Sequence, residues 1–343
     1  QVGGMGRSAL AATDDSFIAI FIRPNTNEVE LYQRFLDGGS TSHTYANTSA
    51  VETVAIAGAG TRWAATWATG LQTSAPGVKC VTSSAAASVS AVSSDVAVDV
   101  VSIDVTPSGQ VGIAARSSNE NVTPRAGIST TGCPAQLVEF RDPALTTQAS
   151  GVAMVATADG QSFRVISTGP LNGGSGVVSI TAPKPGGGAI GVARILQGEA
   201  LWDVSAAMGG GGNWALATYD RDLEDGGSAL AVKPLPVNIA SDTEILIDSV
   251  TLLPWARTWN MGRCGPGCMS VAMTPTRGAL VLSVTFISDD DEMRPLGAQH
   301  YDVACSRSPN ALGASVATVG DTVGVFYSDQ SQGQLFLCDK PPF

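Results

Sequence analysis

The sequence predicts an all-β fold built from seven copies of one antiparallel sheet unit. No stretch of its 343 residues shows a sustained helical period of apolar positions. A short strand, a tight turn and a second apolar strand recur along the whole chain. The 39 glycines and 18 prolines supply turn residues at the rate that so many hairpins require. Together these observations predict an array of similar sheets.

Each copy begins with a strand of small residues. These first strands start near Ala9, Val54, Ser102, Val152, Val204, Met269 and Ala314. Turns rich in Gly, Asp and Pro follow, as tight hairpins require. Apolar second strands start at Phe17, Trp63, Val111, Phe163, Trp214, Ala279 and Val323. Third strands start at Val29, Val78, Ala135, Val177, Ala229, Ala298 and Gln334.

The second strands start 46, 48, 52, 51, 65 and 44 residues apart. This spacing fits sheets of three or four strands, and the chain resembles the seven-bladed β-propeller architecture. Six and eight blades are the alternatives. Residues 1–343 are expected to form a single propeller domain. Small residues suit the crowded inner strands, and the larger aromatics are expected between neighbouring blades: Trp63, Trp67, Phe163, Trp214, Phe326 and Tyr327.

Two places interrupt the repeat. The 65-residue step contains an expected insertion, the loop Thr251 to Cys268, before the sixth copy. The last copy lacks an evident fourth strand, which residues near Val2 are a candidate to supply. The resemblance to propellers is generic and implies no functional residues, because the repeated motifs of sialidases and WD repeats are not present.

The cysteine content indicates an oxidising compartment. Six cysteines occur without a Cys-x-x-Cys pair: Cys80, Cys133, Cys264, Cys268, Cys305 and Cys338. We expect three disulfides, although six cysteines allow 15 pairings and reduced thiols are the alternative. Cys80 and Cys133 fall at comparable places in the second and third copies. Cys305 with Cys338, and Cys264 with Cys268, are further candidate pairs.

Composition excludes several functions. The formal net charge is −11 and only 19 residues are basic, so nucleic acid and anionic membranes are not expected partners. No apolar run reaches the 18 residues of a membrane span. The start at Gln1 is typical of a chain whose signal peptide has been removed, which predicts a secreted, extracellular or periplasmic protein.

One acidic loop is a candidate calcium site. Asp220, Asp222, Glu224 and Asp225 lie close together and could turn carboxylate oxygens toward one hard cation. The loop departs from the EF-hand pattern, and a solvated hairpin tip is the alternative. Calcium is the one cofactor that the sequence suggests.

The expected insertion is the main candidate ligand site. It contains Trp255, Arg257, Trp259 and Arg263, and Trp and Arg are enriched at binding hot spots. A cap that buries its own tryptophans is the alternative. Two glycosylation sequons also occur, at Asn47 and Asn121.

Catalytic motifs are scarce. The chain has two histidines, His43 and His300, and neither a G-x-S-x-G elbow nor a phosphate-binding glycine loop. The sequence therefore favours a secreted, non-catalytic propeller that contacts protein or polysaccharide within an extracellular or cell-surface assembly. A polysaccharide-active hydrolase or lyase with its site at the propeller mouth is one alternative, and a lectin is the other.

Overall fold

A computed structural model describes most of the chain, and each structural statement below concerns the described residues alone. These are residues 8–23, 26–69, 77–117, 124–139, 151–157, 160, 162–170, 176–183, 189–197, 201–208, 214–222, 228–236, 244–246, 251–254, 256–263, 268–275, 281–288, 295–302, 313–328 and 333–339. Side-chain contacts are described within residues 8–167 and in the last sheet.

The described strands form seven sheets, each ordered from its first strand outward. Sheet 1 holds β1 to β4: Ser8–Ala12, Ser16–Ile22, Glu28–Phe35 and Ser40–Ala46. Sheet 2 holds β5 to β8: Val51–Ala59, Arg62–Thr69, Gly77–Thr82 and Ser90–Val92. A short 3₁₀ turn, Ser83–Ala85, follows β7. Sheet 3 holds β9 to β12: Val100–Val105, Val111–Arg116, Arg125–Ser129 and Val138–Glu139.

Sheets 4 to 7 complete the set. Sheet 4 holds β13 to β16: Gly151–Ala156, Phe163–Pro170, Gly176–Pro183 and Ala189–Gln197. Sheet 5 begins with β17 to β19: Leu201–Met208, Trp214–Asp222 and Ser228–Pro236. The next two strands are outermost, β20 (Glu244–Leu246) in sheet 4 and β21 (Thr251–Pro254) in sheet 5. Sheet 6 holds β22 to β25: Ala256–Arg263, Cys268–Pro275, Val281–Ser288 and Pro295–Asp302. Sheet 7 holds β26 to β28: Gly313–Val319, Thr322–Ser328 and Gly333–Asp339.

The first strands of the seven sheets form a closed ring. Each contacts the first strand of the next sheet, in the order β1, β5, β9, β13, β17, β22 and β26. The ring closes because β26 also contacts β1. Pairing within the sheets is antiparallel, except that β20 runs parallel to β16. The predicted all-β propeller architecture is therefore confirmed, and the sequence had left the closure of its ring open.

Two described blade boundaries share one packing contact near the start of the second strand. A Cβ atom on Gly112 of sheet 3 would lie 2.7 Å from the ring of Phe163 in sheet 4. A Cβ atom on Gly324 of sheet 7 would lie 2.5 Å from the ring of Phe17 in sheet 1. In each pair the glycine leaves room for the aromatic ring of the next blade. Side chains confirm the predicted core role of four aromatics, all nearly or fully buried: Trp63, Trp67, Phe163 and Phe326.

The seam between the last and first blades is an apolar interface. Phe21 and Phe326 place their ring centroids 5.6 Å apart. Around them Leu10, Phe17 and Val319 are buried in one cluster. The first and last blades are thus joined by side-chain packing between described residues. The suggestion that residues near Val2 complete the last blade lies outside the described residues.

A buried threonine closes several of the hairpins between first and second strands. The first strands of three blades are directly followed by Thr13, Thr106 and Thr157, which are at most 6% exposed. Thr106 Oγ1 accepts a hydrogen bond from the backbone N–H of Gln110 at 3.0 Å. Thr157 Oγ1 accepts one from the N–H of Ser162 at 3.1 Å. In both cases the threonine hydroxyl accepts a hydrogen bond from a backbone N–H of the turn that has no partner in the neighbouring strand. This explains why Thr recurs in these turns.

The structure differs from the sequence expectation in the sixth copy. The segment expected to be an inserted loop instead supplies two strands, β21 at the outer edge of sheet 5 and β22 at the inner edge of sheet 6. The strand near Met269 is consequently second in its sheet, and the strand after Ala279 is third. In sheet 3 the third strand is β11, and the segment from Ala135 leads into the outer strand β12.

Candidate functional site

A disulfide joins the second and third blades. Cys80 on β7 is bonded to Cys133 in the connection between β11 and β12. The same boundary carries backbone pairing, since Ser93 N–H donates to Ala135 O at 3.0 Å and Leu137 N–H donates to Ser93 O at 2.8 Å. One predicted disulfide is therefore confirmed. For the other cysteines, Cys268 begins β23 and Cys338 lies on β28, while Cys264 and Cys305 lie outside the described residues.

A small pocket opens beside this disulfide, and we call it the blade 2–3 pocket. It encloses about 20 Å³, room for a single water-sized group of a ligand. Its lining comes from the start of β6, the end of β7, the turn before β10 and the loop before β12. These residues are Arg62, Trp63, Thr82, Ser83, Ser84, Val105, Gly109, Val111 and Gly132. The four segments meet because first-to-second and third-to-fourth connections leave antiparallel sheets at the same end.

The polar side chains of the pocket can donate hydrogen bonds to a ligand. Ser83 Oγ accepts a hydrogen bond from Trp63 N–H at 3.3 Å, which leaves its own proton available. Thr82 Oγ1 and Ser84 Oγ lie 3.1 Å apart, and only one of their two protons is needed for that bond. Arg62 adds a guanidinium, which has five donors and no acceptor. No Asp, Glu, His, Tyr or Cys is among the lining residues.

A second set of charged residues lies at the opposite end of the third blade. Arg125 and Arg116 are 5% and 9% exposed, and Asp99 is 3% exposed. Arg125 Nε lies 2.8 Å from Asp95 Oδ1, and its Nη2 lies 3.3 Å from Asp95 Oδ2. The hydrogen bond from Arg125 is the main cause that lowers the pKa of Asp95. Because Asp95 follows the second sheet, this two-point contact fastens blades 2 and 3 to each other.

Substitution of Asp95 tests the importance of this contact. We expect Asp95→Asn to lower the free energy of unfolding by about 1 kcal/mol, because the buried Arg125 loses its carboxylate while Asp95 itself is largely exposed. The folded-state pKa lies below the ordinary 3.8, so the contribution is present above pH 3.8 and disappears as the pH falls through the lowered value. Urea denaturation of both forms at pH 7 and at pH 3 measures the difference.

The exposed pair Arg23–Glu28 provides the control. Arg23 Nη1 and Glu28 Oε2 also lie 2.9 Å apart, but both side chains are substantially exposed. We expect Glu28→Gln to change stability by a few tenths of a kcal/mol at most. Equal losses for the two substitutions would contradict an inter-blade role for Asp95.

One sequon residue has a structural role. Asn47 Nδ2 donates to Asn27 O at 2.9 Å and to Tyr45 O at 3.1 Å. Its Oδ1 accepts from Trp67 Nε1 at 2.9 Å. Tyr45 stacks on Trp67 with centroids 5.2 Å apart, and burial raises the pKa of Tyr45 to about 12. The amide of Asn47 thus joins the first and second blades. Asn121 lies outside the described residues.

The residues that the sequence singled out for binding lie on another part of the ring. Strand β22 contains Arg257, Trp259 and Arg263. Trp255 lies outside the described residues. β22 is the first strand of its sheet, and a ligand role for these residues stays a prediction.

The candidate calcium site stays a prediction. Asp220 and Asp222 lie at the end of β18, while Glu224 and Asp225 lie outside the described residues. Among the side chains that the structure describes, no group of three His, Cys, Asp or Glu residues is placed to hold a metal ion. None of the described helical segments is long and apolar enough to cross a membrane.

Comparison with known proteins identifies the architecture. No protein-family model matches the chain, and no curated protein matches it. An ulvan lyase of polysaccharide lyase family PL25, solved with bound -[GlcA(1-4)Rha3S]-, is similar with a TM-score of 0.56 at 9% identity, over 99% of this chain and 94% of that one. A prolyl endopeptidase has a TM-score of 0.52 at 13% identity, over 97% of this chain and 47% of that one.

A third similar structure is an ancestral GH74 enzyme. Its TM-score is 0.51 at 13% identity, over 99% of this chain and 46% of that one. At such identities these likenesses establish the fold alone. The chain is an all-β propeller, and the different activities of its structural neighbours show that this fold does not determine chemistry.

Proposed function

We propose that this chain is a secreted, non-catalytic propeller that binds polysaccharide as a component of an extracellular or cell-surface assembly. The blade 2–3 pocket is the observation that carries the proposal. Its lining includes Arg62 and the hydroxyl residues Thr82, Ser83 and Ser84, and sugars are rich in oxygen atoms that such donors recognise. The disulfide beside it agrees with an oxidising, extracellular location.

Binding is favoured over catalysis at this pocket by the chemistry of its lining. Glycoside hydrolysis requires two carboxyl groups that flank the bond to be broken. General acid–base catalysis of other kinds requires a titratable side chain within reach of the substrate. The lining contains arginine, hydroxyls, backbone and apolar groups, which position a ligand but do not transfer protons near neutral pH.

A repeated lectin site is disfavoured by the sequence at equivalent positions. Arg62 directly precedes the aromatic that begins a second strand. The equivalent residues in four other blades are Ser16, Gln110, Ser162 and Thr322. Since a guanidinium occurs at only one of these five positions, the pocket is a property of one blade boundary and is not repeated among them.

Binding and product release distinguish the proposal from its alternatives. We expect the full chain to be retained on one or more immobilised polysaccharides and to release no oligosaccharide during prolonged incubation, as measured by chromatography of the supernatant. Release of oligosaccharides would establish the second candidate, a polysaccharide-active hydrolase or lyase. That candidate is supported by the fold shared with a polysaccharide lyase and a glycoside hydrolase. Failure to bind any polysaccharide would overturn the proposal.

A further inference from the structure

We infer that the blade 2–3 pocket receives one oxygen of the anionic group of an acidic polysaccharide, a carboxylate or a sulfate ester. The inference rests on the proposed function and adds the chemical class of the ligand. Three observations support it: the hydrogen-bond donors in the pocket lining, the positive charge of that lining in a negatively charged chain, and the Cys80–Cys133 disulfide that joins the two sides of the pocket.

The donors in the pocket match an anion better than a neutral sugar. The hydroxyls of Thr82, Ser83 and Ser84 both donate and accept, so they suit either ligand, whereas the Arg62 guanidinium only donates and carries the positive charge that favours an anion. The side chains here supply the Arg62 guanidinium and the protons of Ser83 and of the Thr82–Ser84 pair. An anionic oxygen accepts several such bonds at once, and bonds to a charged group are about twice as strong as neutral ones.

The charge of the lining differs from that of the chain. The sequence has 30 acidic and 19 basic residues, yet the lining contains one basic residue and no acidic one. The overall charge of −11 repels polyanions at long range. Selective binding of an acidic polymer therefore requires a local set of donors, which this pocket supplies.

The disulfide fixes the two walls of the pocket relative to each other. Thr82 lies two residues after Cys80 on β7, and Gly132 directly precedes Cys133. The wall from the second blade and the wall from the third are thus joined covalently within a few residues of the pocket. Walls held in place before binding lose less conformational freedom when the ligand arrives, which favours affinity in a small site.

Matched polymers and a matched substitution test the inference. The probes are polygalacturonate with its methyl ester, and dextran sulfate with dextran, each pair differing in charge. Affinity is measured by titration calorimetry for the unaltered chain, Arg62→Gln and Arg34→Gln. Arg34 is a partly exposed arginine on β3 of the first blade, so its loss changes the net charge equally.

We expect at least one acidic probe to bind about tenfold more weakly to Arg62→Gln than to the unaltered chain, and Arg34→Gln to bind unchanged. Preference within the first pair identifies a carboxylate ligand, and preference within the second pair identifies a sulfate. Equal binding of charged and neutral probes, or equal effects of the two substitutions, would overturn the inference while leaving polysaccharide binding in place. If neither these probes nor any immobilised polysaccharide binds, both proposals fail.

Discussion

Replacing Gly58 with alanine is expected to lower the free energy of unfolding by about 3 kcal/mol or more. Gly58 lies on β5, where a Cβ atom would overlap the carbonyl oxygen of Ala12 on the neighbouring inner strand β1. Both partners belong to the backbone, so no change of side-chain rotamer relieves the overlap. The first strands of blades 1 and 2 must therefore separate. The free-energy cost of such overpacking is expected at the upper end of its usual range. Chemical denaturation monitored by tryptophan fluorescence measures the loss.

Gly39→Ala is the control for this substitution. Gly39 lies in the hairpin between β3 and β4, and its new Cβ would meet the carboxylate end of Asp37 at 3.2 Å and the Phe35 ring at 3.6 Å. Asp37 Oδ1 accepts an exposed hydrogen bond from Gly39 N–H, and water can replace this bond when the side chain moves aside, so we expect a change within about 0.5 kcal/mol. If both variants lose a similar free energy of unfolding, the close approach of β1 and β5 does not explain the need for glycine at position 58.

Removal of the Cys80–Cys133 disulfide is expected to cost about 4 kcal/mol, the value for a crosslink that closes a loop of this length. The two cysteines are 53 residues apart in the sequence. Without the bond the unfolded chain gains conformational freedom that the oxidised protein lacks. The double variant Cys80→Ala with Cys133→Ala is compared with the unaltered chain by denaturation under oxidising conditions.

Reductant supplies the control for the disulfide. Under reducing conditions the unaltered chain should approach the denaturation midpoint of the double variant, whereas the midpoint of the variant should change less. Mass measurement shows whether the reductant has freed the thiols of the unaltered chain. If the thiols are free and the denaturation midpoint is unchanged, the expected stabilisation by the disulfide is contradicted.

The sequence predicted the repeat well because hairpin chemistry is local. Thr13, Thr106 and Thr157 mark strand ends through bonds that span a few residues, so the turns were recognisable without tertiary information. The sixth blade was misaligned for a physical reason. Small residues predict an inner strand, and Cys268–Pro275 contains more of them than Ala256–Arg263, which is the inner strand of this blade.

The candidate pocket was not predictable in the same way. Arg62 and Gly132 line one pocket because two blades are adjacent, and their separation in sequence carries no sign of this. The disulfide was foreseen only as one of several pairings, since the comparable positions of Cys80 and Cys133 indicated neighbouring blades without excluding other partners. The role of Asn47 also depended on Trp67, whose indole N–H reaches it from the second blade.

The glycine and aromatic pairs between blades bear on folding cooperativity. Phe163 completes the packing of the blade that contains Gly112, and Phe17 completes that of the blade that contains Gly324. At these boundaries each blade therefore finishes the hydrophobic core of its predecessor, and an excised blade would expose an aromatic face to water. Nearest-neighbour coupling of this kind makes stability a collective property of the array, to which single blades contribute mainly through their interfaces.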